Sequence, residues 1–228
     1  MEESFILKKK NKLPLSILGT KFAKPINFTE NKGSAQCKSC IMLAAMNTEG
    51  DTVIKAKKSR NHTELLFKYL RIPTKINKTS KFDLIKIKGK KEFKSFNYKV
   101  PADISSSAFF IALTALSKNS KLIIKNVNIN PSRAGVVDIL SKMGVKISFK
   151  NKTIYKGEKI ADIQVKSAKN LIAINCPTKL NTSAIDEFLI IFLIAARSKG
   201  ISYFKNLEEL NQKESPRLER GSKILNLM

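Results

Sequence analysis

The chain repeats one order of hydrophobic and polar segments three times. Each repeat has a helical segment rich in small and apolar residues, a polar break, a strand, a loop and a second helix. The repeats cover residues 34–76, 105–147 and 182–225. Self-similarity of this kind predicts successive copies of one supersecondary unit.

Within each repeat, the first helix is apolar nearly all round, as in Phe188–Ala196, which predicts a buried helix. The strands alternate, as in Lys86-Ile87-Lys88, so one sheet face should meet water. The pattern predicts an α/β protein with helices inside and sheets outside. Strands are predicted directly after Gly50, Ser120 and Gly200, and at Asp83–Gly89, Phe96–Val100, Lys146–Phe149, Thr153–Lys156 and Ile163–Lys166.

The starts of the helices carry the candidate chemistry. Hydroxyl residues that favour N-caps open the buried helices at Ser34, Ser105–Ser107 and Thr182-Ser183. A helix start also binds phosphate or carboxylate through its free N–H groups. The chain has six arginines, and three of them, Arg60, Arg133 and Arg217, open the second helices. Capping alone explains the hydroxyl residues, so both interpretations stay open.

The formal net charge is +25, from 43 basic and 18 acidic residues. A basic nucleic-acid-binding α/β protein is one interpretation. However, the lysines are spread along the chain, and only Lys8–Lys12 forms a run, whereas nucleic-acid binders cluster their charge. Solvated lysines and an anionic small-molecule substrate therefore fit better, and no nucleic-acid partner is expected.

Cysteine and histidine are too few for a metal site. Cys37 and Cys40 form one C-x-x-C without a second pair, and we expect them on a packed helix face. His62 is the single histidine. No secretory signal is recognised, and Phe188–Ala196 is far shorter than the roughly 20 residues that span a membrane. The chain is expected in a reducing cytoplasm, away from membranes.

Six motifs together resemble the 5-enolpyruvylshikimate-3-phosphate synthase family, in family order and spacing. They are Ser34–Ser39 (SAQCKS), Ser59–Glu64 (SRNHTE), Val100–Phe110 (VPADISSSAFF), Asn130–Gly135 (NPSRAG), Ile185–Glu187 (IDE) and Glu208–Arg217 (EELNQKESPR). The resemblance implies repeated βαβαββ units around buried parallel helices, an inside-out α/β barrel. Residues 1–99 would be the end of the N-terminal domain, and 100–228 the larger part of the C-terminal one.

The resemblance also implies the reaction. An enolpyruvyl group would pass from phosphoenolpyruvate to the 5-hydroxyl of shikimate 3-phosphate, releasing phosphate in the shikimate pathway of aromatic amino-acid biosynthesis. No cofactor is implied, and a monomer is expected. The related UDP-N-acetylglucosamine enolpyruvyl transferase is the nearest alternative, but the S-A-Q and K-E-S-x-R motifs argue against it.

By resemblance, Ser34, Ala35, Gln36 and Arg60 would bind shikimate 3-phosphate, and Gln36 would also reach phosphoenolpyruvate. Asp186 would accept the proton of the 5-hydroxyl. Lys213 would contact that hydroxyl, Glu214 would assist proton transfer, and Arg217 would hold phosphoenolpyruvate. Asp103 and Arg133 are expected to serve structure.

Two departures from the family pattern affect these expectations. The family's K-S-x-x-x-R, G-N-x-G-T and D-H-R motifs are not found in the 228 residues, so the sequence is interpreted as a middle fragment that is inactive alone. Pro216 stands where the family usually has an acid. This change is expected to leave Arg217 less well oriented.

Overall fold

The computed structural model describes residues 4–9, 12–20, 22–90 and 92–227. Two residues of the Lys8–Lys12 run therefore lie outside the described part. The chain divides into two compact units, Met1–Phe96 (unit 1) and Asn97–Met228 (unit 2). The described helices are α1 (Ala35–Met46), α2 (His62–Tyr69), α3 (Ile104–Leu116), α4 (Gly135–Lys142), α5 (Asn181–Ala184), α6 (Phe188–Ala196) and α7 (Arg217–Leu227). The described strands are β1 (Ser4–Lys9), β2 (Lys12–Leu18), β3 (Asn27–Glu30), β4 (Asp51–Lys57), β5 (Thr74–Lys78), β6 (Phe82–Lys88), β7 (Lys121–Asn128), β8 (Lys146–Tyr155) and β9 (Glu158–Lys166).

Unit 1 contains the predicted βαβαββ order, as β3-α1-β4-α2-β5-β6. The sheet order is β3-β4-β6-β5, with β3 parallel to β4 and β6 antiparallel to both of its neighbours. Alternate residues of β4 and β6, among them Ile54, Ile85 and Ile87, are fully buried against Met42 of α1 and Phe67 of α2. This alternation places the helices on one sheet face and leaves the other in water. An antiparallel hairpin, β1-β2, precedes the sheet.

Unit 2 follows the same order, with one difference at its start. The sequence of elements is α3-β7-α4-β8-β9, and the sheet order is β7-β9-β8. In place of a first strand, Ala102 forms a single parallel bridge with Val127. The third repeat continues with α5, α6 and α7, and its strand positions are parallel bridges that join Ile172 to Lys199 and Asn175 to Tyr203. The α/β repeat is therefore confirmed.

Two predicted strands are absent from the described residues. Segment 96–100 is not a strand, because the Lys99 N–H donates to the Tyr155 hydroxyl (3.0 Å) rather than to a neighbouring strand. The segment after Gly200 forms only a single parallel bridge, from Tyr203 to Asn175. The predicted strands at 146–149 and 153–156 are one strand, β8, with a register shift between Lys150 and Thr153.

The prediction of helices buried all round is also wrong in part. One face of α3 is buried, including Ile104, Ala108 and Ile111, but Phe109 and Leu113 are 65% and 64% exposed. The elements of unit 2 cover only one side of this helix. The C-x-x-C thiols on α1 are exposed rather than packed.

Candidate active site

In unit 1, the candidate residues surround the start of α1. Ser34 is the N-cap, and its hydroxyl accepts from the Cys37 N–H (3.2 Å). The buried carboxylate of Glu30 accepts from the N–H groups of Lys32 and Gly33, both at 2.8 Å, and holds the loop that leads into the helix. Ala35 and Gln36 open α1, where backbone N–H groups have no partner within the helix. This arrangement can bind an anionic group.

Arg60 lies two residues before α2, and its backbone is attached to α1. The Lys38 ammonium donates to the Arg60 carbonyl (2.8 Å) and pairs with the Glu64 carboxylate (2.6 Å). Lys38 and Glu64 are 1% and 5% exposed, so this is a buried ion pair. The hydroxyls of Ser39 and Thr63 add a 2.7 Å hydrogen bond between α1 and α2. Arg60 and the Ser34–Gln36 helix start therefore share one framework.

In unit 2, three of the predicted residues, Asp186, Lys213 and Arg217, come together. Arg217 lies 3.3 Å from the Asp186 carboxylate, and Lys213 lies 4.0 Å from the same oxygen. All three side chains are half-buried. The third buried helix is broken at residues 185–187, so Asp186 lies in a turn between α5 and α6 rather than inside a continuous helix. This break presents the carboxylate at the start of α6.

Glu214 and Lys213 lie on the turn before α7. Glu214 pairs with Arg217 at 2.7 Å. Its own backbone N–H and then the Arg217 guanidinium hold the pKa of Glu214 below its ordinary value. Lys213 pairs with Glu209 at 2.9 Å. These partners stabilise the ionised form of Glu214, which makes it a weaker base than a free glutamate.

Pro216 does not disorder Arg217. Its carbonyl accepts from the Arg220 N–H (3.0 Å), and the side-chain oxygen of Asn211 accepts from the N–H groups of Leu218 (3.0 Å) and Glu219 (3.3 Å). Asn211 therefore caps α7 from the preceding turn. Arg217 pairs with Asp186 and Glu214 in a chain that has Pro216 in place of the acid.

A chain of polar side chains supports the turn that carries Asp186. Arg133 pairs with Asp103 (2.8 Å) and donates to the Ser105 hydroxyl (3.0 Å), which in turn donates to Glu187. Glu187 is 2% exposed and is the N-cap of α6. Since Ser105 belongs to α3, the starts of α3 and α6 converge in unit 2.

Asp103 has the structural role expected of it. It is the N-cap of α3, and its carboxylate accepts from the Ser106 N–H (3.0 Å). Partial burial raises its pKa, but the Ser106 N–H and Arg133 outweigh burial and lower it. The helix start therefore lies two residues earlier than the Ser105–Ser107 cap that the sequence favoured. Thr182 and Ser183 likewise lie inside α5.

Sequence reasoning assigned no role to Lys38, Glu64, Glu187 or Asn211. Each of them lies inside a motif that was recognised, but its hydrogen-bond or ion-pair partner lies outside that motif or several residues away along the chain. A lysine within an apolar helix was the one available signal for Lys38. The described residues contain no cluster of metal-binding side chains and no helix long and apolar enough to cross a bilayer.

Comparison with known proteins agrees with these motifs. The chain is 40% identical over 211 residues to the 3-phosphoshikimate 1-carboxyvinyltransferase of Vesicomyosocius okutanii, covering 91% of this chain and 47% of the relative. The enzyme of that name from Staphylococcus aureus is 37% identical over 222 residues, covering 96% and 50%. The chain thus spans about half the length of the curated relatives that it matches.

Solved structures show the same fold. An EPSP synthase from Acinetobacter baumannii superimposes with a TM-score of 0.85 at 33% identity, over 100% of this chain and 51% of that one. The enolpyruvyl transferase NikO from Streptomyces tendae is similar in fold alone, with a TM-score of 0.58 at 13% identity over 87% of this chain and 47% of that one. The family match itself covers residues 3–228 and includes every motif described above, so the chain belongs to the EPSP synthase (3-phosphoshikimate 1-carboxyvinyltransferase) family.

Proposed function

We propose that the chain carries binding and proton-transfer residues of a 3-phosphoshikimate 1-carboxyvinyltransferase. The reaction transfers the enolpyruvyl group of phosphoenolpyruvate to the 5-hydroxyl of shikimate 3-phosphate and releases phosphate. The observation that carries the proposal is the cluster of Asp186, Lys213 and Arg217 in unit 2. A carboxylate flanked by two cations suits the deprotonation of an alcohol beside an anionic substrate.

Unit 1 supplies the contacts to the shikimate phosphate. The start of α1, at Ser34, Ala35 and Gln36, offers backbone N–H groups and the positive end of the helix dipole. The Arg60 guanidinium adds a planar donor that matches phosphate oxygens in pairs. Gln36 is exposed at the helix start and is assigned to both substrates.

Unit 2 supplies the chemistry. Asp186 accepts the proton of the 5-hydroxyl as that oxygen attacks phosphoenolpyruvate. The Lys213 ammonium lies 4.0 Å from the Asp186 carboxylate. It contacts the same hydroxyl and takes part in proton transfer there. Glu214, which pairs with Arg217, assists proton transfer, and Arg217 binds the carboxylate or phosphate of phosphoenolpyruvate. No cofactor takes part. We place the activity in the cytoplasm and assign a monomer.

The direct test uses a hybrid synthase. In the Vesicomyosocius okutanii enzyme, the aligned segment is replaced by the matching 211 residues of this chain, and phosphate release is followed with both substrates. We expect turnover within the usual enzyme range of about 1–10³ per second. A folded hybrid that binds both substrates without releasing phosphate would contradict the proposal. Omitting shikimate 3-phosphate is the control for simple phosphatase activity.

A further inference from the structure

We infer that Lys38 is a positioning residue that holds Arg60 in place for phosphate binding, with Glu64 as its counter-ion. The inference rests on the proposed function for the role of Arg60. It concerns a buried ion pair to which neither the sequence nor the proposed reaction gives a task.

The geometry connects two distant parts of the chain. The Lys38 N–H donates to the carbonyl of Ser34 (3.1 Å), one helical turn earlier. The Lys38 ammonium donates to the carbonyl of Arg60 (2.8 Å). One residue therefore links the helix start that receives an anion to the arginine assigned to the same anion.

The bond uses the backbone of Arg60, so it anchors this residue without engaging its guanidinium. Glu64, on the first turn of α2, receives the same ammonium at 2.6 Å. Lys38 therefore ties together α1, the loop before α2, and α2 itself. A shift of the loop would require a buried ammonium to lose a partner, which is costly.

Stability alone does not account for the pair. Desolvating two charges often costs as much as their attraction returns, and apolar replacements of similar volume are commonly neutral or stabilising. Among the described residues, the second Glu64 oxygen is buried without a hydrogen-bond partner, which adds to the cost. A buried pair is expected to add little net stability, and this one holds the backbone at Arg60, which fits a role in preorganisation.

The test uses the 228-residue chain and measures the backbone order of Arg60 separately from the stability of the fold. Lys38→Met alone leaves Glu64 buried and unpaired, so the informative variant is the double substitution Lys38→Met/Glu64→Leu. The matched control is Lys86→Met, which breaks an ion pair of similar length with Asp51 in the same unit, where the two side chains are 50% and 44% exposed. Stability is measured by urea unfolding, and backbone mobility by ¹⁵N relaxation at the amide of Arg60.

We expect the double variant to keep the wild-type unfolding midpoint while the order parameter at Arg60 falls from about 0.85 to below about 0.6. Its dissociation constant for shikimate 3-phosphate should rise by about tenfold. Lys86→Met should leave the unfolding midpoint, the order parameter at Arg60 and the dissociation constant unchanged. Glu64→Gln, which keeps an acceptor for Lys38, should leave Arg60 ordered.

A stable double variant in which Arg60 stays as ordered as in the wild type would overturn the inference. The proposed function is tested separately by titrating shikimate 3-phosphate into the wild-type chain. If the Arg60 amide does not respond, the assignment of Arg60 to phosphate fails, whereas the mobility comparison still decides whether Lys38 holds the loop.

Discussion

Units 1 and 2 use the same elements around a helix start, but different bonds are seen at the arginine that follows. In unit 2 the N-cap of α3 is Asp103, and its carboxylate pairs with the guanidinium of Arg133. In unit 1 the N-cap of α1 is the neutral Ser34, and the structure attaches the backbone of Arg60 to Lys38. Each arginine lies two residues before its second helix.

This difference shows how the same α/β repeat can use its arginine either for structure, as in unit 2, or for substrate binding, as proposed for unit 1. An acid at the N-cap occupies the arginine side chain, which then ties α3 to the loop before α4. A neutral N-cap adds no carboxylate of its own at the helix start, where a negative charge would repel an anionic substrate. We therefore expect substitutions in unit 1 to change substrate affinity, and substitutions near Asp186 in unit 2 to change turnover.

The largest effect is expected from Asp186→Ala in the hybrid synthase. Because a general base acts in the transition state, kcat should fall by about 10²- to 10⁴-fold while KM for shikimate 3-phosphate changes little. Glu209→Gln removes the other carboxylate beside Lys213 and serves as the control. A loss confined to KM would reassign Asp186 to substrate binding and remove the division of tasks between the units.

Ser34→Asp gives unit 1 the acidic cap of unit 2. Asp caps helices as well as Ser, so the free energy of unfolding should change little. A carboxylate beside a bound phosphate is repelled, and KM for shikimate 3-phosphate should rise by at least about tenfold. Ser34→Asn, a neutral cap of similar strength, should raise KM much less than Ser34→Asp does. Equal effects of the two substitutions would show that charge at the cap is not decisive.

Truncating the two arginines compares the units directly. Arg60→Ala should raise KM for shikimate 3-phosphate by about 10- to 100-fold, as expected for a charged hydrogen bond. Arg133→Ala should lower the free energy of unfolding by about 1–3 kcal/mol, because Asp103 and Ser105 lose their donor. Kinetics and urea unfolding measure both. The reverse pattern would refute the comparison.

The smallest effect concerns acid stability. The Asn126 N–H, the Asn151 amide and the Lys125 ammonium lower the pKa of Asp162 to about 2. The folded pKa lies below the unfolded value of about 3.9, so the stabilisation is present above that value and is lost as pH falls through about 2.

Asp162→Asn should therefore flatten the loss of stability of unit 2 between about pH 4 and pH 2, measured by urea unfolding at several pH values. In unit 1, the hydrogen bond from Lys86 lowers the pKa of Asp51, but both side chains are exposed. Asp51→Asn is the control, with a weaker effect that salt should screen. Identical pH profiles for the two variants would contradict the assignment to Asp162.

The sequence by itself determined the repeat, the order of its elements and the candidate residues. Period and alternation place α1, β4, α2 and β6 correctly, because burial of one face imposes the pattern locally. The motifs that carry Asp186, Lys213 and Arg217 were recognised from residues close together in the chain. The prediction of a strand at 96–100 was wrong, because a strand also needs a hydrogen-bonded neighbouring strand, which the local pattern does not reveal.

Only the tertiary structure decided which polar groups form hydrogen bonds and ion pairs with each other. The bond from Lys38 to Arg60 joins residues 22 positions apart, and that from Ser105 to Glu187 joins residues 82 apart. The break at Ile185–Glu187 between α5 and α6 contains no proline that would have predicted it, and Asp103 rather than a serine caps α3. Local preference sets the elements, whereas buried polar groups find partners only after distant segments pack, because an unpaired buried charge is too costly to retain.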